Sequence, residues 1–211
     1  GTHHWLQEGF ATYYALLAER EIFGDDYFYF KLYQNAEKLK ELSDSGKGEA
    51  LKNAKASSLT FYQKGAWALH ILREKVGDEA FKSGVKNYLN KYAFQNVETE
   101  DFIAEIEQTS GMDLTQFEED WLAQSAFKSS QALASLRKSE FMEEYLSLIA
   151  LRTISMEEKY ESLNKALDFP VNDYLGQEVV AQLAQENAGD VIQLYRKAFD
   201  TNNVLVRQAI S

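Results

Sequence analysis

Two side chains that could do chemistry lie in short, distinctive segments of this sequence. Glu8 lies in residues 5–11, which read W-L-Q-E-G-F-A, and Tyr62 lies in residues 61–66, which read F-Y-Q-K-G-A. His4 and Glu8 would share one face of a helix, the geometry of a two-point metal site. A tyrosine hydroxyl has a pKa near ~10, stays protonated at neutral pH and can donate a hydrogen bond. Only 3 histidines and no cysteine are present, which argues against a Ser-His-Asp arrangement and excludes a cysteine nucleophile.

The two segments resemble the W-L-N-E-G-F-A and Y-x-K-G-A motifs of the zinc aminopeptidases, the family of alanyl aminopeptidase and leukotriene hydrolase. The resemblance implies that Glu8 is a zinc ligand and that Tyr62 donates a hydrogen bond to the oxyanion formed at the scissile carbonyl. It also implies a peptide substrate, cleaved by zinc-activated water whose pKa falls toward ~7. Gln7 replaces the asparagine of the motif.

One part of the family's zinc site does not occur in this chain. The H-E-x-x-H helix, which supplies two histidine ligands and the catalytic base, precedes the third ligand in the family by roughly twenty residues. Only residues 1–7 precede Glu8 here. We therefore expect a fragment of a metallopeptidase whose partner is the upstream half of its own catalytic domain. Zn²⁺ would be bound by the full-length parent, whereas the fragment alone would bind no zinc and be inactive.

Each residue also has a structural interpretation. Glu8 could be a solvated helix residue, and Tyr62 could be a half-buried core residue. Gly9 costs about 1 kcal/mol relative to alanine inside a helix, which suggests a packing reason such as the close approach of two helices. His70 lies in an apolar helix and is expected to be a hydrogen-bonded packing residue rather than a ligand.

Two alternatives to the enzyme stay open at this point. The chain could be a helical scaffold that binds a protein partner, or a degenerate peptidase relative in which the ligand helix has decayed. Neither needs chemistry from Glu8 or Tyr62. An H-E-x-x-H sequence upstream in the parent gene would favour the enzyme over both.

Composition predicts an all-α protein with a packed core. Hydrophobic residues make up 45% of the chain, and the single proline and 11 glycines leave long stretches of helix-forming residues. The formal net charge of -11 argues against a nucleic-acid partner, which would require clustered basic residues. No apolar run reaches the ~20 residues of a transmembrane segment, and the cellular compartment stays open.

Periodicity predicts helices over residues 5–22, 26–42, 59–76 and 78–92, with Tyr62 in the first turn of the third. A further helix is expected to end at Gly111, and the next is expected to start with a capping box between Asp113 and Gln116. The resemblance extends to about residue 122 through T-E-D-F and F-x-x-x-W-L segments.

Two domains are expected. Residues 1–129 would form the helical half of a thermolysin-like catalytic domain, as the family resemblance implies. Residues 130–211 change to short amphipathic helical stretches and would form a HEAT-like helical-repeat domain that is truncated.

Overall fold

The computed structural model of the chain describes residues 3–93, 95, 97–201 and 203–211, and all regular secondary structure there is helical, with no β-strand. The predicted all-α class is confirmed. The α-helices are α1 His4–Phe23, α2 Asp25–Asp44, α3 Gly65–Val76, α4 Asp78–Lys91, α5 Thr99–Ser110, α6 Thr115–Phe117, α7 Ser129–Leu136, α8 Glu140–Ile149, α9 Met156–Ala166, α10 Asp173–Leu183, α11 Ala188–Phe199 and α12 Val204–Ile210.

Contacts divide the chain into two compact units, Gly1–Arg137 and Lys138–Ser211. In the first unit, α1 packs against α2 and α3, and α4 packs against α5. The largest fully buried side chains of this unit are its three tryptophans, Trp5, Trp67 and Trp121. The core therefore lies around the helices that carry both sequence motifs.

The first helix boundaries follow from glycine. Gly24 and Gly77 have φ values of 93° and 88°, which side-chain-bearing residues rarely adopt, and each separates two consecutive helices. Gly111 ends α5 in the left-handed conformation. These three stops match the expected helix ends.

Two helical turns are wound as π-helix, which the sequence did not predict. Thr60–Lys64 is a π-helical turn directly before α3, so the expected helix over residues 59–76 is interrupted at its start. Glu118–Ala123 is a second π-helical turn directly after α6. Tyr62 lies in the first of them, and π-helical turns occur frequently at functional sites.

The predicted capping box between Asp113 and Gln116 is wrong. The Asp113 carboxylate accepts hydrogen bonds from the backbone N–H and the hydroxyl of Thr115, at 2.9 and 2.6 Å. The Gln116 amide instead donates to Asp120. The short-range bond to Thr115 competes with the capping geometry, as Asp side chains often do near helix starts.

The second unit contains α8 to α12. Its interior includes charge, because the Lys159 ammonium is 3.2 Å from the Glu186 carboxylate and is fully buried. Arg152 donates to both carboxylate oxygens of Glu178, at 2.7 and 2.8 Å. Helix α7, which follows the expected domain boundary at residue 129, packs against α2 and α3 of the first unit.

No helix among the described residues is both long and apolar enough to cross a membrane.

Candidate functional site

The two residues singled out by the sequence lie together in the structure. The Tyr62 hydroxyl lies near the Glu8 carboxylate, and hydrogen bonding to Glu8 and its negative charge raise the pKa of Tyr62 above its ordinary value. Tyr62 is 42% exposed and Glu8 is half-buried, so both groups can be reached from solvent. A carboxylate and a phenol from distant parts of the chain therefore share one surface.

A contact between two glycines brings these side chains together. A Cβ built on Gly9 would lie 3.0 Å from the carbonyl carbon of Gly65, and one on Gly65 would lie 3.0 Å from the Cα of Gly9. The backbones of α1 and α3 thus touch where neither residue has a side chain. Glu8 precedes Gly9, and the π-helical turn with Tyr62 precedes Gly65. The packing reason expected for Gly9 is confirmed, and Gly65 is its partner.

Trp5 fixes the start of α1. Its side chain is fully buried, and its indole N–H donates to the Thr99 hydroxyl at 3.0 Å. The Trp5 carbonyl oxygen would be 3.2 Å from a Cβ on Gly65, so this turn of α1 also lies against α3. Phe10 extends the contact, with its ring 5.3 Å from that of Phe102. These contacts set the position of Glu8 between Trp5 and Phe10.

Lys64 fixes the other motif, in a way that the sequence did not reveal. Only 2% of Lys64 is exposed, and its ammonium donates to the carbonyl oxygens of Glu49 and Gln124, each at 2.8 Å, and of Ser125 at 3.4 Å. Burial lowers the pKa of Lys64 to about 8, and the negative charge of Glu49 opposes that shift. The sequence feature that could have indicated a buried lysine is its position at the edge of the apolar run over residues 65–72.

Glu49 contacts the start of the same helical turn. Its carboxylate accepts from the backbone N–H of Ser57 at 3.0 Å and from the Thr60 hydroxyl at 3.1 Å. Hydrogen bonding by the Ser57 side chain is the largest of the effects that hold the pKa of Glu49 below its ordinary value, and the bond from the Ser57 backbone N–H adds to it. Glu49 lies in a segment to which the sequence assigned no functional role.

The three histidines lie in two different environments. His4 is exposed and stacks on His3, with ring centroids 5.0 Å apart. His70 is buried, and its ring nitrogens lie 2.9 Å from the Tyr13 hydroxyl and 3.1 Å from the Ser135 hydroxyl. The expectation that His70 is a hydrogen-bonded packing residue is confirmed.

The donor set for zinc is incomplete within the described part of the chain. No cluster there of three or more histidine, aspartate or glutamate side chains could hold a metal ion. Peptide-cleaving zinc sites use three protein ligands and leave a fourth position for water. Glu8 fits as one ligand, and further donors would have to come from outside the described residues.

An apolar groove of about 640 Å³ lies between α1 and α4, beside the candidate site. Neither Glu8 nor Tyr62 lines it. One stripe of α1, one stripe of α4 and the segment that follows α4 form its walls. The lining residues are His3, Leu6, Gln7, Phe10, Tyr14, Val85, Tyr88, Leu89, Tyr92, Ala93, Gln95 and Val97.

Comparison with known proteins assigns the family. Residues 2–121 match the Peptidase family M1 domain, which covers both motifs and the two π-helical turns up to Trp121. The chain belongs to peptidase family M1. This family is generally zinc-dependent.

Curated relatives are aminopeptidases by name. The chain is 34% identical over 118 residues to "Aminopeptidase M1-D" of Oryza sativa subsp. japonica, covering 52% of this chain and 14% of that protein. It is 29% identical over 154 residues to "Leucyl aminopeptidase" of Saccharolobus solfataricus, covering 69% of this chain and 20% of that protein. A third relative, "Aminopeptidase N" of Lactococcus lactis, is 35% identical over 75 residues, 36% of this chain and 9% of that protein. The chain thus spans a fifth or less of the length of these relatives, and no solved structure matches it.

Proposed function

We propose that this chain is part of a zinc-dependent aminopeptidase that removes N-terminal residues from peptides. In this proposal Glu8 is one of the three zinc ligands and Tyr62 is the hydrogen-bond donor to the oxyanion. The proximity of the Glu8 carboxylate and the Tyr62 hydroxyl carries the proposal, because a zinc ligand and an oxyanion donor must lie close enough for the metal and the donor to act on the same scissile carbonyl. The match to peptidase family M1 supports it.

The chemistry of Tyr62 follows from its protonation state. A tyrosine hydroxyl is protonated at neutral pH and can donate a hydrogen bond, and the neighbouring Glu8 carboxylate raises the pKa of Tyr62 further in the metal-free chain. The exposed fraction of 42% leaves this hydroxyl accessible to a substrate carbonyl. A zinc ion, when bound, would lower the pKa of a water molecule to about 7 and polarise the substrate. Tyr62 would stabilise the negative charge that develops on the carbonyl oxygen.

The remaining ligands would come from the upstream half of the catalytic domain, which we propose as the partner of this chain. Ala11 and Ala15 lie one and two turns after Glu8 on α1, and both are exposed. Small residues allow the close approach of a second helix, as Gly9 does on the neighbouring face. A helix that carried the two histidine ligands could therefore pack beside Glu8.

The finer architecture belongs to the same proposal. Residues 1–129 would be the helical half of a thermolysin-like catalytic domain, and residues 130–211 would be a HEAT-like helical-repeat domain. The succession of helices α8 to α12, with α10 packed against both α8 and α12, supports the second assignment. Neither unit binds nucleic acid in this proposal, consistent with the net charge of -11.

Metal analysis of the isolated chain is the first test. With one of three ligands, the chain should retain no stoichiometric zinc after dialysis and should not hydrolyse aminoacyl reporter substrates. Zinc near one equivalent per chain would contradict the division of ligands proposed here. The gene sequence upstream of residue 1 is the second test, because the proposal requires H-E-x-x-H there.

Turnover by the full-length protein is the third test. Tyr62→Phe should lower kcat by about 10²–10³-fold while zinc content stays unchanged, because one oxyanion donor is lost and no ligand is touched. Tyr14→Phe, another partly exposed tyrosine of the first unit, is the matched control and should leave kcat unchanged. Equal activity of Tyr62→Phe and the control would reject the role assigned to Tyr62.

A further inference from the structure

Lys64 closes the π-helical turn Thr60–Lys64 and has a fully enclosed ammonium group. We infer that Lys64 is a positioning residue, whose ammonium holds this turn in its π conformation and thereby keeps Tyr62 against Glu8. The effect of Lys64 on catalysis rests on the proposed function. Its effect on the position of Tyr62 rests on geometry alone.

The acceptors of Lys64 come from two segments that are distant in sequence. Glu49 belongs to the connection between α2 and the π-helical turn, whereas Gln124 and Ser125 follow the second π-helical turn. Carbonyls at the end of a helical turn have no partner within the helix and carry partial negative charge. One ammonium with three N–H donors satisfies all three carbonyls. Lys64 therefore joins two segments to the turn that contains Tyr62.

The two segments also touch each other directly. A Cβ built on Gly48 would overlap the carbonyl oxygen of Ser125 and would lie 3.3 Å from the carbonyl carbon of Ser125. The backbones on either side of the ammonium therefore approach each other closely at Gly48. Together with Lys64 they form a junction.

Glu49 extends the same junction to the opposite end of the turn. Its carbonyl oxygen accepts from Lys64, at the last residue of the π-helical turn, while its carboxylate accepts from Thr60, at the first residue. A single residue thus contacts both ends. The carboxylate additionally binds the backbone N–H of Ser57, just before the helix begins.

The winding of this turn determines where Tyr62 points. The Gly65 N–H bonds to the Thr60 carbonyl, an i→i−5 bond that marks the π conformation. Rewinding the turn as α-helix would shift the residues before Gly65 by one position, which is a rotation of about 100° around the helix axis. Gly65 cannot follow, because it is packed on Gly9. Tyr62 would turn away from Glu8.

A lysine that only satisfied buried carbonyls would contribute to stability without controlling the position of Tyr62. Fluorine NMR separates the two roles. With 3-fluorotyrosine placed only at position 62 of the whole chain, Lys64→Met should shift the fluorine resonance at least as far as Glu8→Gln does. Lys64→Arg, which keeps a cation with several N–H donors, should retain the resonance of the unsubstituted lysine.

Lys159→Met is the matched control. Lys159 is also buried and donates to a backbone carbonyl, that of Leu151 at 3.4 Å, but it belongs to the other compact unit. Its loss should lower stability and leave the resonance of residue 62 unmoved. A folded Lys64→Met chain with the wild-type resonance would overturn the inference.

If Lys64→Met fails to fold, Glu49→Gln carries the test, because it weakens the opposite end of the junction at a more exposed side chain. An unmoved resonance in that variant would likewise overturn the inference. The proposed function fails separately, through zinc content, upstream sequence or turnover, none of which enters the fluorine measurement. If Lys64→Met shifts the resonance but the unsubstituted full-length protein has no peptidase activity, the proposed function is rejected. The positioning role of Lys64 is then kept.

Discussion

Gly9 and Gly65 bring the backbones of α1 and α3 into direct contact, because a Cβ on either residue would lie 3.0 Å from backbone atoms of the other. Each glycine belongs to one of the two sequence motifs. The helix crossing places Glu8 and Tyr62, the neighbours of these glycines, on a common surface. The two glycines therefore explain why the two motifs lie side by side in the structure.

Gly65→Ala should destabilise the first unit and separate Tyr62 from Glu8. The added methyl group gains about 1 kcal/mol of helix preference. Forcing two backbones apart costs about 1–3 kcal/mol or more, since neither side can move as a flexible side chain would. We expect a net loss of up to about 2 kcal/mol, measured by urea unfolding with tryptophan fluorescence, since all 3 tryptophans lie in this unit.

Gly189→Ala is the control for this substitution. Gly189 lies in α11, and a Cβ there would meet nothing within 4 Å. The alanine should raise stability by about 0.5–1 kcal/mol, measured by circular dichroism, because only the helix preference changes. A Gly65→Ala chain that is as stable as the wild type would show that the contact between the two helices is looser than described.

Part of this arrangement is predictable from local sequence. The cost of glycine inside a helix indicates a packing reason for Gly9, and positive φ angles explain the helix stops at Gly24 and Gly77. The family resemblance indicates Glu8 and Tyr62 and implies that both face one cavity, but nothing near either residue in the sequence indicates which contact brings them together. That contact depends on the position of Gly65 on the facing helix.

The π-helical turn was not predictable for a related reason. The hydrophobic pattern of residues 59–76 is compatible with a continuous α-helix, and the i→i−5 winding depends on carbonyls of Gln124 and Ser125 far along the chain. The place of α7 is similar. Ala132 and Leu136 are buried in the first unit, although the change in sequence character at residue 130 indicates a new domain. Both the π-helical winding and the position of α7 depend on contacts between residues that are distant in sequence.

Glu8→Gln should lower the pKa of Tyr62 toward its ordinary value near ~10. The hydrogen bond from Tyr62 to a charged carboxylate is the main cause of the raised pKa, and glutamine removes the charge. Because the pKa of Tyr62 is raised by folding, its interaction with Glu8 contributes to stability at pH values below the pKa of an unfolded tyrosine. This contribution is lost as the pH rises through the pKa of Tyr62 in the folded chain. NMR titration of ¹³C-labelled tyrosine in metal-free buffer measures the shift, and an unchanged Tyr62 titration in Glu8→Gln would disprove the contact.

Glu49→Gln should make the chain less sensitive to acid. The pKa of Glu49 is lowered, mainly by the hydrogen bond from Ser57, so its contribution to stability is present above the pKa of an unfolded glutamate. That contribution is lost as pH falls through the folded pKa. Because the carboxylate is partly exposed, we expect a difference on the order of 1 kcal/mol at neutral pH that vanishes in acid.

Urea unfolding of both chains across this pH range measures the effect. Glu100→Gln is the control, because the Glu100 carboxylate is 61% exposed and contacts only the Lys52 ammonium, at 3.2 Å, among the ion pairs of the described residues. Its curve should stay close to that of the wild type. A constant difference between Glu49→Gln and wild type at every pH would contradict the assignment of the effect to ionisation.

Tyr13→Phe should destabilise the first unit without affecting the candidate site. The Tyr13 hydroxyl is buried against Nδ1 of His70 at 2.9 Å, and burial raises the pKa of Tyr13 to about 12. Removing the hydroxyl leaves a buried imidazole nitrogen without its partner, which costs about 1–3 kcal/mol. Tyr14→Phe, one residue away and 42% exposed, should change stability by less than ~0.5 kcal/mol. Thermal unfolding compares the two variants. Equal melting temperatures would show that the Tyr13 hydroxyl adds no stability through His70, and that this hydrogen bond does not help to join α1 to α3.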